Sequence, residues 1–426
     1  MNYQGLSVDQ APPISIPFRF FLSAPIFGII AGLLILSGSV DELISRYSPL
    51  TIAITHAVAI GVLSLTMFGA LFQMLPVLAG VSIPKQSLFA KISHSSIIVG
   101  LLLMLAGFLS SSKLLLPASL LLGIGFMSTI LPMLYAFRKV INITASVRAM
   151  ITSLIFALLI TLMGMHLLAS HGLGNFSASH MLFANIHSVW AIFGFAGPLI
   201  IGVAFHILPM FYVAPRFKRF CKQKVVWLIT FGLILWLILN IALPSYSWIA
   251  KAWVAMFFWA FSTTVFLKMR SRRRPTSDVT VYYWISASIF MTLGTFAWVF
   301  DDLFDEQYIV LVSILIGGGF IFSIVQGMLY KIVPFLAWFH LNARGYMSIP
   351  TLHDMVDRRV AKWQFFLYIF SLIGFIFSFL LPTILPLFAL SFMVSMALLE
   401  YNLIKIALLY ARISKTKPDF DMSAFA

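Results

Sequence analysis

One cysteine in 426 residues, Cys221, leaves no internal disulfide and no Cys pair for a zinc or iron–sulfur site. Charge is equally scarce. Charged residues make up 10% of the chain, where a soluble domain carries about a quarter. Acidic residues are the rarer sign, 13 against 28 basic. With 61% of its residues apolar, a water-soluble fold would leave large hydrophobic patches facing water. No Gly-rich phosphate loop is present, which sets aside ATP-driven transport. The longest loop expected, 339–362, is too short for a soluble catalytic domain.

What the chain has instead is uninterrupted apolar sequence. Crossing the hydrocarbon layer takes roughly 20 apolar residues. Twelve segments qualify: 17–37, 50–79, 92–110, 114–137, 149–169, 181–213, 225–243, 247–268, 281–300, 308–338, 363–381 and 384–409. They are continuously apolar rather than alternating, which excludes a lipid-exposed barrel. The expectation is an all-α membrane protein of about 12 transmembrane helices. It divides into an N-terminal tail (1–16), one twelve-span domain (17–411) and a C-terminal tail (412–426). The polar start lacks a charged leader and a cleavage site, so the first span is expected to be retained.

The net charge of +15 would suggest nucleic acid in a soluble protein, but here the basic residues follow alternate loops. One set of loops holds Lys85, Lys91, Arg138, Lys139 and Arg148, then Arg216 to Lys224, Lys268 to Arg274, and Arg344 to Lys362. The opposite set holds only Arg46, Lys113 and Lys251, with the acidic stretch Asp301, Asp302, Asp305, Glu306. The positive-inside rule then puts both termini in the cytoplasm of a bacterial-type inner membrane. The bilayer becomes the partner, and nucleic-acid binding is unnecessary. Reporter fusions at residues 220 and 303 are expected to report opposite sides; the same side would overturn the span count.

Three of the segments share a pattern, Gly-x7-Gly-x6-Pro. It runs Gly61, Gly69, Pro76 in the second, Gly194, Gly202, Pro209 in the sixth, and Gly319, Gly327, Pro334 in the tenth. Paired glycines let a neighbouring helix approach closely, and proline removes a backbone donor and bends the helix. The residue four after the second glycine is polar each time: Gln73, His206 and Lys331. A polar group at that depth faces protein or water rather than lipid. A plainer role stays open, in which Gln73 and Lys331 satisfy the carbonyl freed by proline or Lys331 snorkels. The spacing of four spans predicts three four-helix arcs about a pseudo-threefold axis.

Five of nine histidines fall toward the non-cytoplasmic side: His56, His166, His171, His180 and His187. Imidazole inside a membrane is costly, and neutral imidazole is the common protein ligand for haem iron and copper. His56 and His187 are therefore candidate metal ligands. His166 is a further cofactor candidate. Hydrogen bonding between packed helices is the alternative for all three. The partner of the second ring nitrogen is expected to be Ser or a backbone carbonyl, since no carboxylate lies at that depth.

The stretches THAVAIGVLSLTMFGALFQMLP, NIHSVWAIFGFAGPLIIGVAFHILPMFYVAP and GMLYKIVPFLAWFHL resemble the inner helices of haem–copper oxidase subunit I relatives. The likeness is nearest to the small NnrS-type membrane proteins and covers most of the chain. It implies a twelve-span fold in three pseudo-equivalent arcs, with His56 at a haem-ligand position and His187 at a copper-ligand position. Haem b, copper or both are the cofactors implied. The departures are specific. The tenth segment has no His-x-His pair, the seventh has no His pair, and Ala191 stands where a cross-linking Tyr would be. A complete oxidase centre is therefore not expected. Metal handling, electron transfer or a nitrosative-stress role leads, with a small-molecule permease or an assembly partner of a respiratory complex as the alternatives.

Overall fold

The computed structural model describes residues 11–274, 278–301 and 306–420. Asp302, Asp305, the side chain of Glu306 and the outer parts of both tails lie outside the described residues. Among those residues the chain is helical and without strands. Twelve helices are long and apolar enough to cross a membrane, so this is a multi-pass membrane protein. They are α1 (Ser15–Ser37), α2 (Pro49–Ala79), α3 (Gln86–Leu109), α4 (Ser112–Phe137), α5 (Ala145–Leu173) and α6 (His180–Tyr212). The second half comprises α7 (Arg219–Ala242), α8 (Pro244–Arg270), α9 (Val279–Val299), α10 (Tyr308–Asn342), α11 (Arg358–Phe377) and α12 (Pro382–Ile413).

Several helices outrun the apolar windows. α3 begins six residues early at Gln86, and α7 six early at Arg219. Hydropathy marks where lipid covers the helix; hydrogen bonding and caps mark where it ends. Thr144, Asp278 and Asp357 cap the starts of α5, α9 and α11 with side-chain oxygens. Gly80 and Gly174 end α2 and α5 in the left-handed conformation. With twelve spans α1 starts and α12 finishes at one end, the near end, where the ring centres of Phe18 and Tyr410 are 6.3 Å apart.

The three repeat helices are the most enclosed. In α2, α6 and α10, 67%, 78% and 56% of the core window is buried, against 33–50% in the other nine. Their glycines receive side chains of the preceding helix in one repeated way. A Cβ built on Gly61, Gly194 or Gly319 would lie 2.4 Å from Phe27, Phe156 or Phe290. One on Gly69, Gly202 or Gly327 would meet Phe20, Ala149 or Tyr283 at 2.8, 2.3 and 2.6 Å. Each second partner stands seven residues before the first. The repeat thus extends into α1, α5 and α9, where the first partner is Phe each time and the second differs. Leucine at Gly69, Gly202 or Gly327 is expected to cost about 1–3 kcal/mol by overpacking, read as a lower melting temperature in detergent. Gly317 is the control, because a Cβ there meets nothing within 4 Å.

The departure from α-helical geometry is not where the prolines are. Each repeat helix widens into a π-helical stretch around its first glycine: Ala57–Ser64, Trp190–Ala196 and Ile314–Phe322. Pro76, Pro209 and Pro334 sit in the α-helical stretches that follow. The Phe72 carbonyl, which Pro76 leaves without its helical donor, accepts from Gln86 Nε2 at 2.7 Å. Gln86, not Gln73, satisfies it.

Candidate functional site

His56 closes the α-helical start of α2, directly before its π-helical stretch, and His187 stands three residues before the one in α6. The wider i→i+5 turn re-aims the helix face at that level, a distortion common at functional sites. It brings the two imidazoles together. Their centroids are 6.3 Å apart and their planes lie within 26° of parallel. His56 Nδ1 donates to the Ile52 carbonyl at 2.8 Å, and His187 Nδ1 donates to the Ile160 carbonyl of α5 at 3.0 Å. A carbonyl only accepts, so both rings carry their proton on Nδ1 and a bare lone pair on Nε2. The expected backbone acceptors are thus present at both rings. Gly164 makes the second one reachable: a Cβ on it would stand 3.0 Å from His187 Cε1.

Does this pair fit a metal? Two imidazoles bound to one ion through bonds of about 2.0 Å, with about 1.1 Å from nitrogen to ring centre, stand roughly 6 Å apart. The observed spacing agrees. Fixing Nδ1–H on a carbonyl is also how proteins orient an imidazole ligand. The π-helical stretch of α10 packs against those of α2 and α6, and its Gly317 faces no atom within 4 Å of a built Cβ. The pair has no third ligand. Among the described residues no group of three or more His, Cys, Asp or Glu side chains could hold a metal. His166 packs its ring edge-on against Phe183 at 5.5 Å. His171 and His180 stack with Phe176 at the far end, 5.3 Å from each other.

The inner polar positions have separate surroundings. Gln73 is buried, and its Oε1 has no hydrogen-bond partner. His206 is half-buried. Lys331 pairs with Asp278, at the N-cap of α9. Burial pushes the Asp278 carboxyl up, but the Lys331 ammonium and the Thr280 hydroxyl (2.5 Å) and amide (3.1 Å) outweigh it and hold it below the usual carboxylate range. Tyr212 of α6 donates to the Thr280 hydroxyl at 2.7 Å, and Lys331 lies 5.5 Å from the Tyr212 ring centre. Arg274 and His353 meet beside them. Burial and the Lys331, Arg274 and Arg358 charges push His353 down, favouring its neutral form. Asp278 was not legible as a site residue, because only the fold places a helix cap opposite a lysine 53 positions away.

Between the His pair and this ion pair, the repeat helices line a cavity of about 70 Å³. Its walls come from α2, α5, α6, α9 and α10 and are apolar. No protein-family model matches the chain, and no curated protein matches it.

Proposed function

We propose that this chain is a metal-handling or electron-transfer protein of a bacterial inner membrane, built on a scaffold like haem–copper oxidase subunit I. In this reading its helices form three four-helix arcs, and both termini face the cytoplasm. His56 and His187 hold one centre, haem b iron or copper. The observation that carries the reading is the imidazole pair, with both Nδ1 protons committed to carbonyls and both Nε2 lone pairs free. A haem or copper centre bound there would supply one-electron chemistry or a site for a small diatomic ligand.

The chain's own contribution is orientation and exclusion of water. The Ile52 and Ile160 carbonyls fix each ring and its tautomer. Buried Trp190 and Phe156 pack edge to face below His187 on α6, keeping that level dry. Terminal-oxidase chemistry is not part of the proposal, because α10 offers no His-x-His pair and Ala191 supplies no phenol.

A permease is the second reading. The buried Lys331–Asp278 pair at the near end of the repeat helices favours it. An optical spectrum with metal analysis, on protein made in cells supplied with haem and copper, separates the two. A haem or copper signal supports the first. Protein free of both leaves the permease or an assembly role.

A further inference from the structure

The central cavity is lined by methionine far beyond the chain's average. Four of its 14 wall residues are Met67, Met74, Met150 and Met328, where 20 methionines in 426 residues would give fewer than one. They come from three helices. Met67 and Met74 stand two turns apart on one face of α2, with Met150 on α5 and Met328 on α10. Two other wall residues bear on the question. Thr66 is buried, and its hydroxyl has no hydrogen-bond partner. Trp284 of α9 supplies the side chain that attracts cations best through its ring face.

Size excludes most occupants. A cavity of about 70 Å³ is far too small for a haem, whereas about 10–15 Å³ of such space holds one water. The wall also excludes hard and borderline ions. It has no carboxylate, imidazole or thiolate, so calcium, magnesium and zinc find none of their usual ligands. Thioethers are soft donors and select Cu(I). A single charge is moreover the least costly to place among neutral ligands in an apolar medium. Methionine also fills irregular gaps as packing, which would explain one or two such residues but leaves the orphan hydroxyl unexplained.

We propose that the central cavity is a Cu(I) site, with the thioethers of Met67, Met74, Met150 and Met328 as donors and Thr66 and Trp284 completing the wall. Along α2 its nearest wall residue, Thr66, stands ten residues after His56, beyond the whole π-helical stretch. The site shares its metal class with the function proposed above but none of its ligands, so the two fail separately.

The test is copper-edge X-ray absorption on the full chain in detergent, anaerobic, with about one equivalent of Cu(I). A Cys221→Ser, His56→Ala, His187→Ala background removes the thiol and the His pair. Made with selenomethionine, that protein is expected to show copper–selenium scattering. The signal should vanish when all four methionines become leucine, a near-isosteric change that preserves packing. Scattering from nitrogen and oxygen alone, or copper–selenium scattering that survives the four substitutions, would overturn the site. Should the fourfold variant misfold, single Met67→Leu and Met328→Leu proteins are each expected to lose part of that scattering, and an undiminished signal in both would overturn the site.

Discussion

Alanine at His56 or at His187 is expected to abolish the haem or copper signal of the purified protein, while alanine at His166 leaves it intact. The asymmetry follows from the geometry. His56 and His187 hold their Nε2 lone pairs free at a spacing of 6.3 Å between rings, whereas His166 is turned onto Phe183. Losing one of two protein ligands removes half of the centre's anchorage. That exceeds the 10- to 100-fold effects usual for outer-shell changes, in rough terms. Optical spectra and metal content at equal protein concentration check it. A His56→Ala protein with an unchanged haem spectrum would remove His56 from the site, and loss of the signal in His166→Ala would refute the assignment of the pair.

Breaking the Lys331–Asp278 pair from one side is expected to cost about 3 kcal/mol, since it strands a buried charge. The side chains are 11% and 22% exposed, so residual hydration keeps the cost toward the lower end of the usual range. Lys331→Met and Asp278→Ala should each lower the melting temperature in detergent. The double variant should recover most of the loss, because it leaves no charge stranded. Additive losses would show that the two residues act independently. The pH dependence has a definite sign. Asp278 is held below the usual carboxylate range, so its contribution is present above about pH 4, the unfolded value. It is lost only as pH falls through the lower, folded value. Stability from this pair should therefore be flat between about pH 5 and 8.

The span count was legible because lipid imposes a length and a composition on every crossing segment, and the chain's twelve apolar runs are separated by charged or Pro-containing loops. Gly61, Gly69 and Pro76 and their counterparts in α6 and α10 were legible as a repeat because small and ring-locked residues keep a fixed spacing. The partners of those glycines were not. Phe20, Ala149 and Tyr283 occupy equivalent places with unlike side chains, since a glycine accepts whatever shape the neighbouring helix presents. The π-helical stretches, which precede the prolines, were also invisible. Proline has a unique residue signature; a widened turn is a hydrogen-bonding choice that ordinary apolar residues make under packing.

The amino-acid sequence by itself determined the solvent, the number of crossings and the gathering of five histidines toward one end of the helices. Those follow from composition and period, which act locally along the chain. Only the tertiary structure decided that His56 meets His187 while His166 packs on Phe183, that Lys331 finds Asp278, and that four methionines from three helices share one cavity. Each of those facts depends on the rotation of one helix against another. Rotation is fixed by side-chain packing between distant segments, and no single helix encodes it.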